Sequence, residues 1–516
     1  MAIRSLNLNR IAQRTAARVA SVPAPIGGWN ARDSIANMEV TDAVQLTNLF
    51  PSVNNVVLRP GYTQHATGIS GTVETLMSYS SGASSELFAI AGTQIYNVTA
   101  AGAVGTPVVT SLSNGRWEYT NVTTPAVGGF IYAVNGFDAP LLYDGSTWTN
   151  PTITGVTAAD LSNITIFKNQ VWFTENNTLK GWYLPTLSIA GTVAYIDMSS
   201  VAQLGGYLVS VGTWTIDAGY GVDDNLVFVT SNGEVIVYAG TDPSDATKWA
   251  LIGVWRIGKP VGRRCLIKYG GDILVLTFNG VYPLAASLQS SRLDPRVALS
   301  DKIQGALASA TQSYGDNFGW QMIFDPKHNA LTVNVPVAQN QQQQYVMNNI
   351  TKSWCNFTGW KASCWEIFEN EPYFGGAGFV GHAWDESYAD NGANIESNAF
   401  TAFNYFESRG VKKYFTRARP SIFTNGSPSV FVGMNVDFDL QNTRAALAFS
   451  PSNYGLWDNA LWDIGLWGAD AIITNNWQGI TGIGYCGSTQ LSTSSQAVTI
   501  LWASTDLVYQ AGWAGI

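Results

Sequence analysis

One pattern limits what this chain can fold into more than any other: an apolar strand, a polar turn and a second apolar strand, repeated along most of its length. It reads LFAIAGTQIYNV at 87–98, IYAVNGFDAPLLYDG at 131–145 and VWFTENNTLKGWYLP at 171–185. It returns as LVFVTSNGEVIVYAG at 226–240, ILVLTFNGVYPLAA at 273–286, NALTVNVPVAQNQQQQYVMNN at 329–349 and PYFGGAGFVGHAWDE at 372–386. Three turns carry Asn-Gly, at Asn135-Gly136, Asn232-Gly233 and Asn279-Gly280. That pair is the strongest short hairpin signal, expected where both central residues take positive φ. Successive units begin between 40 and 60 residues apart, the length of a four-stranded blade. A Tyr late in some units precedes a polar turn and a Trp, as in Tyr143 and Trp148, Tyr238 and Trp249, and Tyr345 and Trp354. A hairpin this apolar is not stable alone, and stacking such units around an axis buries it while leaving only short edges. The pattern predicts an all-β fold with a β-propeller of six or seven blades over residues 60–395. A pair of irregular β-sandwiches is the competing arrangement.

Composition agrees with short strands and tight turns. Hydrophobic residues make up 46% of the chain, glycines number 51, and only 12% of residues are charged, against a usual share of about 25%. DKIQGALASATQ at 301–312 is the one helix candidate after the first fifty residues. The net charge of −9 argues against a protein that grips nucleic acid electrostatically, which requires a positive footprint. It leaves room for a surface past which DNA slides. Cys265, Cys355, Cys364 and Cys486 lack metal-ligand spacing and read as reduced structural thiols. The three histidines are too few for a multi-histidine centre, so no metal and no cofactor is predicted. No run of 18 apolar residues is present, and the N-terminus lacks the apolar core of a secretory signal.

The two ends depart from the repeat. Residues 1–59 read as an extended N-terminal arm and docking segment. Arg10, Arg14 and Arg18 share one helical face at i, i+4 spacing, which suits docking to a neighbour or a disordered arm better than organellar targeting. Residues 396–516 read as a further all-β portion packing on the propeller or on neighbouring subunits. This portion holds a basic stretch with Arg409, Lys412, Lys413, Arg417 and Arg419. It also holds GLWDNALWDIGLWG at 455–468, where Leu-Trp pairs recur every five residues, at Trp457, Trp462 and Trp467. Because five is odd, successive pairs on an extended chain face opposite ways, and Asp458, Asn459, Asp463 and Gly465 favour turns between them. The segment reads as a looped, aromatic-anchored element packed between subunits or against the propeller, with a sugar- or membrane-touching tip as the alternative.

No Walker loop, G-x-S-x-G elbow or H-E-x-x-H is present. Asp223-Asp224 and Asp385-Glu386 are carboxylate pairs of the kind a glycosidase uses. Both flank polar turns, where carboxylates cap backbone N–H groups, and no catalytic residue is predicted. Arg256, Lys259, Arg263 and Arg264 share one stretch, VWRIGKPVGRRC at 254–265. It reads as a loop contacting phosphate in a DNA channel, as an ionic seam with an acidic neighbour, or as a solvated turn.

At 24–62, APIGGWNARDSIANMEVTDAVQLTNLFPSVNNVVLRPGY, the chain resembles the opening of virion structural proteins of short-tailed, podovirus-type bacteriophages. The shared elements are P-x-G-G-x-N, M-x-x-x-D-A, N-L-F-P and L-R-P-G-Y. VYAGTDPSDATKWALIGVWRIGKPVGRR at 237–264, GGDILVLTFNGVYPL at 270–284 and the Leu-Trp segment fit the same group. The resemblance is to tail nozzle or tail-hub proteins, also called packaged-DNA stabilisation proteins or tail tubular protein B. It implies a propeller subunit in a homohexameric ring that continues the DNA channel below portal and adaptor. Such a ring retains the packaged genome and lets it pass during ejection, without catalytic residues or cofactor. The implied partners are further copies of the chain, the adaptor or head-to-tail connector, and tail fibre, spike or needle proteins. Double-stranded DNA in transit and the host cell surface at the distal tip complete that set. The implied location is the phage tail of the virion, assembled in the bacterial host cytoplasm. Arg10, Arg14, Arg18, the basic stretch and the three tryptophans then become candidate subunit or adaptor contacts. The competing function is a glycan-binding or glycan-cleaving propeller used in receptor recognition, since exposed aromatic rings stack on sugars.

Overall fold

A computed structural model describes residues 16–512, apart from 83, 126–127, 218–221, 289–293, 442–443, 447–471 and 475. Among the described residues, seven antiparallel sheets follow one another around a ring. The first joins residues 73–81, the second half of the long strand Gly61–Ser81, to Ser84–Ala91 and Gln94–Asn97. The next three are four-stranded and open on Glu118–Thr124, Leu161–Phe167 and Leu208–Asp217. The fifth has three strands, Leu266–Tyr269, Asp272–Thr277 and Gly280–Pro283. The sixth runs from Gln321–Asp325 to Trp354–Thr358. The seventh takes Cys364–Phe368, Glu371–Gly375 and Ala377–Asp385 from late in the chain, and its fourth strand is the first half of Gly61–Ser81. The opening strands touch in ring order, and the seventh touches the first. The fold is a seven-bladed β-propeller, closed by an early strand laid beside a late one.

Apolar clusters lie between successive blades, as stacking requires. Trp172 of the third blade stacks on Trp249 of the fourth, centroids 5.5 Å apart and planes 9° from parallel. Trp148 of the second packs edge-on against Phe88 of the first. The Tyr-turn-Trp echo in the sequence thus places a ring where one blade meets the previous one. The Asn-Gly turns differ from expectation in one respect: at all three only the Gly has positive φ. At the second, Gly233 N–H closes onto Thr230 C=O and Gly233 is left-handed, a three-residue loop ending in glycine. A Cβ on Gly233 would sit 2.3 Å from the Gly258 carbonyl carbon.

The helix expected at 301–312 forms as a 3-10 turn, Asp301–Ile303, running into the α-helix Gln304–Tyr314, which buries Leu307 and Ala310. Beyond the seventh blade the chain makes a two-sheet sandwich. One sheet contains Ile395–Thr401, Gly487–Ser495 and Ser429–Val436. The other contains Gln478–Gly484, Lys413–Thr424 and Ile500–Ala511. Strands Lys413–Thr424 and Ile500–Ala511 alternate buried and less buried residues, the period-two signature of a half-buried sheet. Val22, Phe415, Ile422, Val432, Leu491, Trp502 and Leu507 fill the space between the sheets.

The N-terminal segment is woven into this architecture and is not a free arm once the described chain begins. Ala17–Pro23 pairs along Ile500–Ala511. Asp42–Thr47 lies between the sixth blade's last strand and Ile395–Thr401, so one continuous sheet runs from propeller to sandwich. Arg59 fixes the junction. It is 0% exposed, and its guanidinium meets Asp390 through both terminal nitrogens, at 2.8 and 2.5 Å. Its remaining N–H groups reach Asn48 Oδ1 and the carbonyls of Pro60 and Thr358. Asn48 in turn donates to Thr358 Oγ1 and to the Glu396 carbonyl.

Removing one partner of a buried ion pair strands the other charge. Asp390→Ala is expected to lower unfolding free energy by about 3–5 kcal/mol. Asp506→Ala, which unpairs the partly exposed Arg419, is expected to cost no more than about 1 kcal/mol. Urea unfolding of both variants checks this, and equal small losses would remove the junction role of Arg59.

Candidate functional site

The basic stretch at 254–265, expected as a loop, opens on the end of the strand Trp249–Arg256, which holds Arg256, and does not present its last two arginines outward. The chain enters the fifth blade through Val261–Cys265 at the propeller axis, with Val261 and Cys265 fully buried, and this aims Arg263 and Arg264 across the ring. Arg264 spans to the first and second blades, bonding Thr75 Oγ1 at 2.7 Å, the Glu74 and Trp117 carbonyls, and the Glu118 carboxylate at 3.1 Å. It also approaches Gln321 of the sixth blade at 3.4 Å. A guanidinium with five fixed donors suits such a hub, because it satisfies acceptors from several directions at once. Below it lies a cavity of about 210 Å³ whose lining includes residues from all seven opening strands or their immediate approaches.

Glu366 of the seventh blade faces this cavity. Ser78 Oγ lies 3.3 Å from it, and the Tyr119 hydroxyl bonds the same Ser78. Burial pushes the Glu366 carboxyl up to about 7, against the opposing pull of hydrogen bonds from Tyr119 and Ser78 and of Arg264. Burial likewise raises the Tyr119 phenol. Glu366 keeps some accessible surface, and the axial cavity accounts for where it faces.

Arg263 closes the axis toward one face. It donates to the Asn135 carbonyl at 2.9 Å and to Asn176 Oδ1 at 3.1 Å, acceptors from the second and third blades. On that face two cavities, of about 640 and 280 Å³, meet at Gly262, Arg263, Gly315 and Asp316. Of the two arginines expected to contact phosphate or an acidic neighbour, Arg264 is engaged by acceptors of several blades, and Arg263 gives two of its five N–H groups to acceptors within the ring. Arg256 and Lys259 are exposed, Arg256 near Gln203 and Glu234, Lys259 over the Phe278 ring at 4.9 Å.

The other candidates fall in the sandwich or outside the described residues. Arg18 lies on a strand opposite Tyr509, not on a helix. The open edge of Ile500–Ala511 takes up this segment, whose Val19 and Val22 suit a strand. Arg10, Arg14, Trp457, Trp462 and Trp467 lie outside the described residues. Arg409 and Lys412 are exposed and sit over Tyr405 and Tyr485 at 4.5 and 5.5 Å. Lys413 is buried, donating to the Ser408 and Tyr485 carbonyls, and burial lowers its pKa. It is an internal tie and not an interface cation. Arg419 is taken by Asp506 at 2.6 Å and lies over Trp477. Arg417 is exposed, on the strand that pairs it with Val508.

Sequence reasoning missed Arg59, Glu118 and Glu366, although charge is scarce enough that a carboxylate inside the strand CWEIF is itself a signal. Of the carboxylate pairs, Asp224 accepts from Thr215 and Asp385 from the Ser387 N–H. All four cysteines are buried and unpaired. Among the described residues no His, Cys, Asp and Glu group could hold a metal, and no helix is long and apolar enough to cross a membrane.

No family model and no curated protein matches the chain. Solved structures similar to it include BBS1N in complex with ARL6DN and YCF48 bound to D1 peptide. Each is 10% identical and covers 63% of this chain and 97% of its own, with a TM-score of 0.37. Likeness at that level carries no argument, and the propeller stands on its own strand order and ring closure.

Glu366 gives the axis a pH signature. A carboxyl whose folded value lies above its unfolded one holds an extra proton in the folded chain between the two. Its contribution is therefore complete below about 4.5 and is lost as pH rises through about 7. Glu366→Gln is expected to flatten this loss, by roughly 1–3 kcal/mol between pH 5 and 8. Parallel wild-type and variant unfolding curves across that range would contradict it.

Proposed function

We propose that the chain is a structural subunit of a short-tailed phage tail. In this reading it is a nozzle or hub protein that assembles as a homohexameric ring, retains packaged DNA and lets it pass. The observation that carries the reading is the position of the resembling motifs. Asn48 of N-L-F-P and Arg59 of L-R-P-G-Y bond each other at the junction of blade six, the chain after blade seven and the sandwich. The motifs therefore encode the two-part architecture itself, which supports a likeness of whole subunits over a likeness of one local loop.

The plugged axis supports a DNA path outside the single propeller in such an assembly. Arg263 and Arg264 cross the ring, and the axial cavity of about 210 Å³ is far too small for a duplex, whose major groove alone is about 12 Å wide. The conduit is then the space enclosed by several copies. Arg409, Lys412 and Arg417 are the exposed cations offered to a neighbouring subunit, and Arg18 is exposed on the strand across Ile500–Ala511 from Arg417 in the same sheet.

Native mass spectrometry of the purified protein, with protein identification in purified virions, tests the reading. The expected species is six copies of the 55.6 kDa chain, present in tails; a stable monomer absent from virions would contradict it. Lys412→Glu with Arg417→Glu is expected to weaken association about tenfold or more with the monomer still folded. Arg419→Glu is unsuited to this test because it also unpairs Asp506 within the chain.

A further inference from the structure

Arg263 and Arg264 are adjacent, yet their charges are balanced differently. Arg264 meets Glu118 at 3.1 Å, and Arg116 nearby meets Glu74 at 3.0 Å. Arg263 forms no ion pair among the described residues; its partners are the neutral oxygens of Asn135 and Asn176. Burial lowers its pKa, against the opposing pull of Glu118. Three cavities share it in their lining: the axial one and the two that meet on one face.

The setting is rigid. Asn135 is fully buried, and its Oδ1 accepts the N–H groups of Phe137 and Asp138. Asn176 donates to the Gly136 carbonyl while accepting from Arg263. Phe137, 61% exposed, and Phe318 line the same cavity, Phe318 lying beneath Arg116, 4.4 Å from its centroid. The larger cavity, about 640 Å³, lies within the range that holds a drug-sized ligand or short peptide.

We propose that this face of the propeller recognises a carboxylate side chain on a short peptide segment of a partner protein, with Arg263 receiving the carboxylate and Phe137 and Phe318 gripping the residues beside it. A half-buried cation with no carboxylate in direct contact, Glu118 acting on it only from a distance, selects one carboxylate, which adds charge-assisted hydrogen bonds. A nucleic-acid backbone needs a run of unmatched cations. Here the neighbouring arginines are already paired with Glu118 and Glu74, and the carboxylates of Glu74, Glu118 and Asp316 in the lining repel a chain of phosphates more than a single carboxylate. The site does not rest on the tail reading, and a chain found absent from virions would still bind.

Isothermal titration with acetyl-leucyl-glutamyl-phenylalaninamide and its glutaminyl analogue tests it. The glutamyl peptide is expected to bind the wild-type chain about tenfold more tightly. Arg263→Gln is expected to abolish that preference, and Phe137→Ala to weaken both peptides about threefold while keeping it. Phe137 is exposed enough that its variant folds regardless, so it decides the matter if Arg263→Gln does not fold. Equal affinity for the two peptides, or no saturable binding to the wild type, overturns the proposal. So does inorganic phosphate displacing the glutamyl peptide more effectively than acetate.

Discussion

Arg59 holds three parts of the chain in register with one side chain. Its bidentate contact to Asp390 ties the entrance of the closing strand to the segment that follows the seventh blade. Its bond to Asn48 and the Thr358 carbonyl ties both to the sixth blade's outer edge. A propeller needs closure, because an open ring leaves the first and last blades with bare apolar faces. Closure here comes from residues 61–72 pairing with Ala377–Asp385, and that pairing is the most sequence-distant in the ring. An interaction that fixes both ends of such a pairing offsets much of its loop-closure entropy. The aromatic rings of Trp360 and Phe357 under the guanidinium keep it dry and make its hydrogen bonds stronger.

The same economy of charge shapes the axis. Only 12% of residues are charged, and several of the few face inward: Arg59, Arg264 and Lys413 all satisfy buried carbonyls or carboxylates. Arg264 does for the centre of the ring what Arg59 does for its seam, joining acceptors that adjacent blades leave unpaired at their inner edges. Arg263 extends that arrangement to the face but stops short of a carboxylate. The internal hub and the proposed recognition site thus grow from one two-residue step in the chain.

The ring itself was legible because its unit is local. Apolar hairpins, glycine-ended turns and the Tyr-turn-Trp echo each reflect contacts within one blade or with the previous one. The seventh blade escaped a firm count because its fourth strand comes from residues 61–72, far from the other three in sequence. Sequence reading could not see the N-terminal weave for the same reason: the partner of Ala17–Pro23 is Ile500–Ala511, and strand pairing over that separation leaves no periodic trace. A helical reading of Arg10, Arg14 and Arg18 used spacing alone, which for Arg18 lost to an available sheet edge. The arginines of VWRIGKPVGRRC were found as a cluster, but charge does not reveal direction. Their inward aim follows from the buried Val261 and Cys265 on either side.

In the proposed tail subunit these features divide the work: the propeller is a closed, plugged body, and the passage for DNA belongs to the assembly. Electron cryo-microscopy of the virion at a resolution that separates strands tests this most directly. The account predicts several copies arranged around the DNA axis, each with its own seven-bladed ring closed by Arg263 and Arg264 and standing beside the duplex. Duplex density threading the propeller of a single subunit, or a tail in which no copy of this ring is found, would contradict it.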